Sequence, residues 1–321
     1  MSKGLTDVAG IKVGHASDYD GLTGCTAILC ETGAVAGVDV RGSATGTEEF
    51  EVMSPMHVTG QIHGVLLTGG SAFGLEAASG VRRYLEKKGI GFQTGAARVP
   101  LVPCAVLYDL GIGKASARPN REMGEEAAAA ATDADVKEGA VGAGTGATVG
   151  KMLGLRQAMK SGIGSATVWL DGTLAGIRVS ALAAVNALGD VRDPENGHLI
   201  AGTRVSAESM SLANSALLMK QGSRGGFTPA RNTTLVVVAT NAKLSKVGST
   251  KLAQLASLGV ARTISPVWTM SDGDIVIALS VGEAVAPVDA LGVAAAEAVA
   301  SAVVRAVRLA RSLGGVPGLA G

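Results

Sequence analysis

The stretch GGFTPARNTTLVVVATNAKL, Gly225–Leu244, decides how this chain is read. Leu235–Ala239 is an apolar run with strong strand propensity, and a loop containing Gly, Pro and Arg precedes it. At the junction stand Asn232, Thr233 and Thr234. Two readings stand. In the first, a loop simply enters a strand, since Thr suits strands and Asn suits turns. In the second, the junction is an internal cleavage site. The Thr233 hydroxyl attacks the Asn232 carbonyl, and hydrolysis of the resulting ester leaves Thr233 with a free α-amine. With a reference pKa of about 7.7–8.0, that amine is a competent base for its own hydroxyl at neutral pH. Such a site needs no histidine.

The rest of the chain suits a layered α/β body. Of its 321 residues, 47% are hydrophobic but only 3% aromatic, and 46 are glycine. The core must therefore be built from Ala, Val, Leu and Ile, which let helices and sheets approach closely. A net charge of +1 gives no support for nucleic-acid binding or for an acidic solvating tail. Cys25, Cys30 and Cys104 form no CxxC pair and read as small buried hydrophobes in a reducing compartment. The first residues lack a signal-peptide pattern, and no charge-free run of about 18 apolar residues suggests a membrane span. The expectation is a cytoplasmic protein without nucleic-acid or membrane partners.

Strand and helix patterns interleave to the end, so residues 1–321 read as one α/β domain. TGCTAILC and GAVAGVDVRG predict two strands joined by a turn at Glu31–Gly33. IHGVLLTGGSAFGLEAASGVRRYLEKKG predicts strand, glycine turn and helix, with a helix N-terminus able to take an anion. VPCAVLYDLG predicts a strand and REMGEEAAAAATDA a helix. Strands flank the Asp171-Gly172 hairpin signal. A helix is expected from Ser206 to Gly222, then a loop over Gln221–Arg231. Further helices are expected over Ser249–Leu258 and from about Val288 to Leu313, with the strand DIVIALS between them.

The glycine-rich stretch Gly139–Lys151 fails the phosphate-loop spacing, because Thr145 stands five before Gly150 and Met152 follows the lysine. It is either a packing loop or a platform holding Lys151 against a reacting carbonyl. His15, His57, His63 and His198 have no metal spacing, and no GxSxG elbow exists. A zinc enzyme and a Ser–His–Asp hydrolase are disfavoured, and no metal or cofactor is expected.

Six segments occur in the order found in one family: LTDVAGIKVGHASD, GVDVRGSATGTEE, LLTGGSAFGLEAASGV, VLYD, GAGTGATVGK and NTTLVVVATNAKL. The chain resembles the L-aminopeptidase/D-esterase family, the DmpA-like peptidases, whose relatives include β-peptidyl aminopeptidases and the nylon-oligomer hydrolase. The resemblance implies a four-layer α/β/β/α sandwich of N-terminal-nucleophile-hydrolase type. It implies a precursor that cuts itself into residues 1–232 and 233–321 and assembles as an oligomer of such pairs. It implies the nucleophile Thr233, with cleavage between Asn232 and Thr233, and a hydrolase acting on peptides or amino-acyl amides.

Further roles follow from the same resemblance. Lys151 stands beside the nucleophile, Asn186 stabilises the oxyanion, Tyr108 lines the substrate site, and Asp272 orients the nucleophile's amine. Asp274 reads as shaping the turn. Where the nylon-oligomer hydrolase carries a second acid, this chain has Met270, and Val106 replaces an acid expected to hold a substrate amine. Self-cleavage passes through a similar oxyanion, so Asn186 is expected to serve maturation as well as turnover. The alternatives are acyl transfer of the ornithine acetyltransferase type and a non-catalytic ligand-binding protein of the same fold.

Overall fold

The computed structural model describes residues 3–223 and 232–321. Nine strands are joined by hydrogen bonds, eight of them in one path: β1 (Lys12–Asp18), β2 (Thr23–Val40), β3 (Thr47–Glu48), β4 (Ile62–Thr68), β5 (Cys104–Val106), β6 (Ile163–Trp169), β7 (Arg178–Asn186), β8 (Thr233–Ala242) and β9 (Ile275–Ala284). Their order is β6-β7-β8-β9-β2-β4-β5-β3, with β1 paired to β2. The helices are α1 (Ala77–Lys87), α2 (Arg121–Ala129), α3 (Ser215–Lys220), α4 (Lys246–Thr263) and α5 (Val288–Arg308).

The expected pair of strands around Glu31–Gly33 is in fact one strand, β2, of 18 residues. Its first half pairs with β1 and β4, and its second half with β9. The turn signal marks a register shift between Leu29 and Ala34, with Gly33 at φ 95. The bent strand thus runs through two facing sheets and joins them.

Period-2 alternation then generates the layers. On β8, Leu235, Val237 and Ala239 enter the core between the sheets, together with Ile275, Ile277 and Leu279 of β9 and Ile28, Val65 and Leu67 of β2 and β4. Val236 and Val238 face the opposite way, onto α4 and α5. Cys25, Ala27 and Leu29 of β2 face Ala77, Val81 and Ala127 of α1 and α2. Three cores therefore separate four layers, α/β/β/α, as expected. All three cysteines are buried and free.

The helix expected over Ser206–Gly222 shrinks to α3, only six residues long. Asn214 caps it, and Ser215 is drawn to Asp190 through both its N–H and its hydroxyl. Buried polar bonds, rather than propensity, hold that segment. Of the loop expected over Gln221–Arg231, residues 224–231 lie outside those described.

α5 is long and apolar enough to cross a membrane, yet it is mostly buried against the sheet and α4. Its seat on β6 depends on Gly164, where a Cβ would collide with the Ala302 carbonyl and Ala306. Gly164→Val is therefore expected to lower the melting temperature or abolish soluble expression, with a cost of at least the roughly 1–3 kcal/mol of an overpacked core. A wild-type melting curve for this variant would show that the seat is slack.

Candidate active site

The site forms where β7, β8 and the entry to β9 end side by side. β7 and β8 are antiparallel with Asn186 opposite Thr233, and Asn232 bridges to Asp272 in parallel fashion. Sheet register therefore brings residues 186, 233 and 272 together, although they are far apart in sequence. Asn186, Asn232, Thr233, Thr234, Asp272 and Asp274 are all buried.

The Thr233 hydroxyl donates to the carbonyl oxygen of Asn232 at 2.6 Å. The Gly273 N–H donates to the same oxygen at 2.8 Å. A side chain at 273 would crowd this arrangement, because a Cβ there would lie 2.8 Å from Thr233 Oγ1 and 2.7 Å from the Ala44 carbonyl.

Asn186 is oriented by its partners. Its Oδ1 accepts from Lys151 Nζ at 2.8 Å and from the Thr148 N–H at 3.1 Å, while its Nδ2 donates to the Tyr108 carbonyl at 2.9 Å. An amide flipped about its axis would face donors with a donor, so this orientation is enforced. Lys151 also donates to the carbonyls of Asn186 and Thr148. The packing reading of the glycine-rich stretch is met. Gly144 and Gly150 pack directly on the backbone of Gly162 and of Gly202–Thr203. The same loop delivers the Thr148 N–H and Lys151 to Asn186.

The glycine turn after β4 does hold an anion, but an internal one. The Gly70 N–H donates to Asp109 Oδ1 at 2.7 Å, and Thr23 Oγ1 donates to Asp109 Oδ2 at 2.7 Å. Asp109 thereby anchors the chain beside Tyr108, which is half-buried. Val106 is buried at the same strand end.

The second carboxyl of the site comes from Asp274, not from the position of Met270, which is 81% exposed. Asp274 Oδ1 accepts from the Thr234 N–H at 2.5 Å, immediately beside the nucleophile candidate. Asp272, expected to orient the amine, accepts at Oδ2 from both the N–H and the hydroxyl of Thr269 at 2.8 Å. The signal for Asp274 was present in the spacing Asp-Gly-Asp, since alternate residues of an extended chain face one way. Trp268, at φ 55, is a bulky residue in the left-handed region. The next residue, Thr269, is held by Asp272.

Burial and then the neighbouring Asp272 charge push Asp274 up to about 8. Asp272 is raised as well, chiefly by burial. Burial pushes Lys151 down to about 7 against the opposing pull of both aspartates. Near neutral pH the cluster can therefore take up or release protons at little cost.

Asp274→Asn tests this assignment, because it keeps an acceptor for Thr234 but cannot ionise. A carboxyl raised from 3.8 to about 8 stabilises the fold fully below its unfolded value and loses that contribution as pH rises through 8. Wild type should therefore lose stability relative to the variant between about pH 4 and pH 8, as read from melts across that window. A drift in the opposite direction would mark Asp274 as an ordinary ionised carboxylate.

The comparisons with known proteins fit this geometry. The model of peptidase family S58 matches residues 3–320. An uncharacterised aminopeptidase of Mycobacterium tuberculosis is 37% identical over 343 aligned positions, covering 98% of this chain and 96% of that protein. A 6-aminohexanoate-oligomer endohydrolase of a Kocuria species is 29% identical, covering 86% and 74%. Among solved structures, a Burkholderia β-aminopeptidase superposes with a TM-score of 0.70 at 26% identity, covering 99% of this chain and 91% of that one. The L-aminopeptidase D-Ala-esterase/amidase of Ochrobactrum anthropi, a variant of the Ntn-hydrolase fold, gives a TM-score of 0.74 at 21% identity, covering 99% and 90%. With its four-layer Ntn-hydrolase fold, the chain belongs to peptidase family S58 and is a hydrolase of peptide or amide bonds.

Proposed function

We propose that this hydrolase is made as a precursor, cleaves itself between Asn232 and Thr233, and then uses Thr233 as an N-terminal nucleophile on amino-acyl amides. The observation that carries the reading is the 2.6 Å contact between the Thr233 hydroxyl and the carbonyl of the residue before it. Two buried acceptors next to this bond, Asn232 Oδ1 and Thr234 Oγ1, have no hydrogen-bond partner among the described residues. Each such atom costs about 1–3 kcal/mol, which favours a change that releases the junction.

After cleavage the α-amine of Thr233 is the base for its own hydroxyl. The hydroxyl attacks the substrate amide, the amine passes the proton to the leaving nitrogen, and water releases the acyl group. Asn186, held by Lys151 and Thr148, is the neutral donor for the substrate oxyanion. Val106 leaves no carboxylate at the position expected to hold a substrate α-amine, which supports relaxed selectivity among α-, β- and ω-amino acyl amides. The cleaved chains stay together, because β8 and β9 contribute to two of the three cores.

Under denaturing conditions the purified protein is expected to run as two pieces, and 321 − 232 gives 89 residues for the smaller. N-terminal sequencing of that piece should begin at Thr233. Thr233→Ala should remain full length and inactive, and Thr233→Ser should still process. An uncut yet fully active wild-type chain would overturn the reading, because its nucleophile would lack the amine.

Turnover of Asn186→Ala should fall by roughly 10²–10³ with the fold intact, the usual loss for one oxyanion donor. An unchanged rate on amino-acyl amides would remove Asn186 from the site.

A further inference from the structure

The uncut chain presents a second candidate oxyanion donor, separate from Asn186. The carbonyl oxygen of Asn232 is the atom that becomes negative when Thr233 attacks. The Gly273 N–H already points at it from 2.8 Å. We propose that the Gly273 backbone N–H stabilises the oxyanion of self-cleavage, so that maturation and substrate turnover use different donors. The proposal rests on the reading of Thr233 as a self-processing nucleophile.

Two features support it. First, the donor is immobilised on both sides. The Ala44 N–H donates to the Asp272 carbonyl at 2.9 Å, and the N–H groups of Arg41 and Gly42 donate to the Asp274 carbonyl at 3.0 Å. A donor fixed in advance costs no reorganisation when charge develops. Second, residue 273 is a glycine at the point where a Cβ would press on Thr233 Oγ1. The nucleophile can therefore share one carbonyl with the donor.

The reaction balances without a cofactor. A bond forms between Thr233 Oγ1 and the Asn232 carbonyl carbon, whose oxygen carries the negative charge toward Gly273. The carbon–nitrogen bond to Thr233 then breaks, and the hydroxyl proton ends on the Thr233 nitrogen. Water cleaves the ester, restoring the hydroxyl and leaving Asn232 with a carboxylate.

The test follows processing and turnover separately in full-length chains made by cell-free translation. Appearance of the small piece reports processing, and release of amine from an amino-acyl amide reports turnover. For Asn186→Ala, turnover is expected to drop by about 10²–10³ while processing keeps the wild-type rate. Equal slowing of both steps would show one shared donor and overturn the proposal. Gly273→Ala and Gly273→Pro both add a Cβ, but only proline removes the N–H. The proline variant should process at least about 10²-fold more slowly than the alanine variant, with native circular dichroism. Equal rates for the two would reduce position 273 to sterics and overturn the assignment. If the proline variant does not fold, the Asn186→Ala comparison decides alone. A wild-type control that stays uncut would overturn the proposed function itself, and this inference with it.

Discussion

Backbone packed directly against backbone is the constraint on which this molecule depends. With few aromatics, the chain fills its interior by bringing main chains close together. α5 lies on β6 across Gly164, α4 meets α5 across Gly259, and α1 meets α2 across Gly80 and Gly124. At each of these glycines a Cβ would strike a carbonyl oxygen of the neighbouring element. The four layers are held at distances that only small residues permit.

The same closeness makes the site largely a main-chain device. Its side chains bond to the N–H groups of Thr148 and Thr234 and the carbonyls of Tyr108, Asn186 and Thr148, and the Gly273 N–H holds the Asn232 carbonyl. Main-chain groups within a tight sheet are pre-oriented, which is what stabilisation of a developing charge needs.

Buried charge completes the frame. Lys160 is fully buried and donates to the carbonyls of Gly144, Ala147 and Ser161, closing the glycine-rich loop from behind. Burial pushes it down to about 7, and Asp109 up to about 6. Asp109 and Lys160 thus stand to the loop as Asp272, Asp274 and Lys151 stand to the Asn232–Thr233 junction. In each case burial raises the carboxylates and lowers the lysine, because exclusion of water penalises the charged forms.

What could be read from the sequence was what is local. Apolar runs rich in Val and Ile announced β8 and β9, apolar periodicity announced α1, α4 and α5, and Asn232-Thr233-Thr234 marked the junction. Lys151 closing a glycine-rich stretch already pointed at the site. Pairings between distant segments were not legible. A glycine at 33 that looked like a turn became a bulge, because continuing β2 pairs it with strands of both sheets. The pattern over Ser206–Gly222 shortened to six helical residues, because Asp190 captures Ser215. Asp274 gained its place only when β8 and β9 aligned Thr234 with it. Side-chain periodicity is written residue by residue, whereas register is decided by cores that exist only once the layers have met.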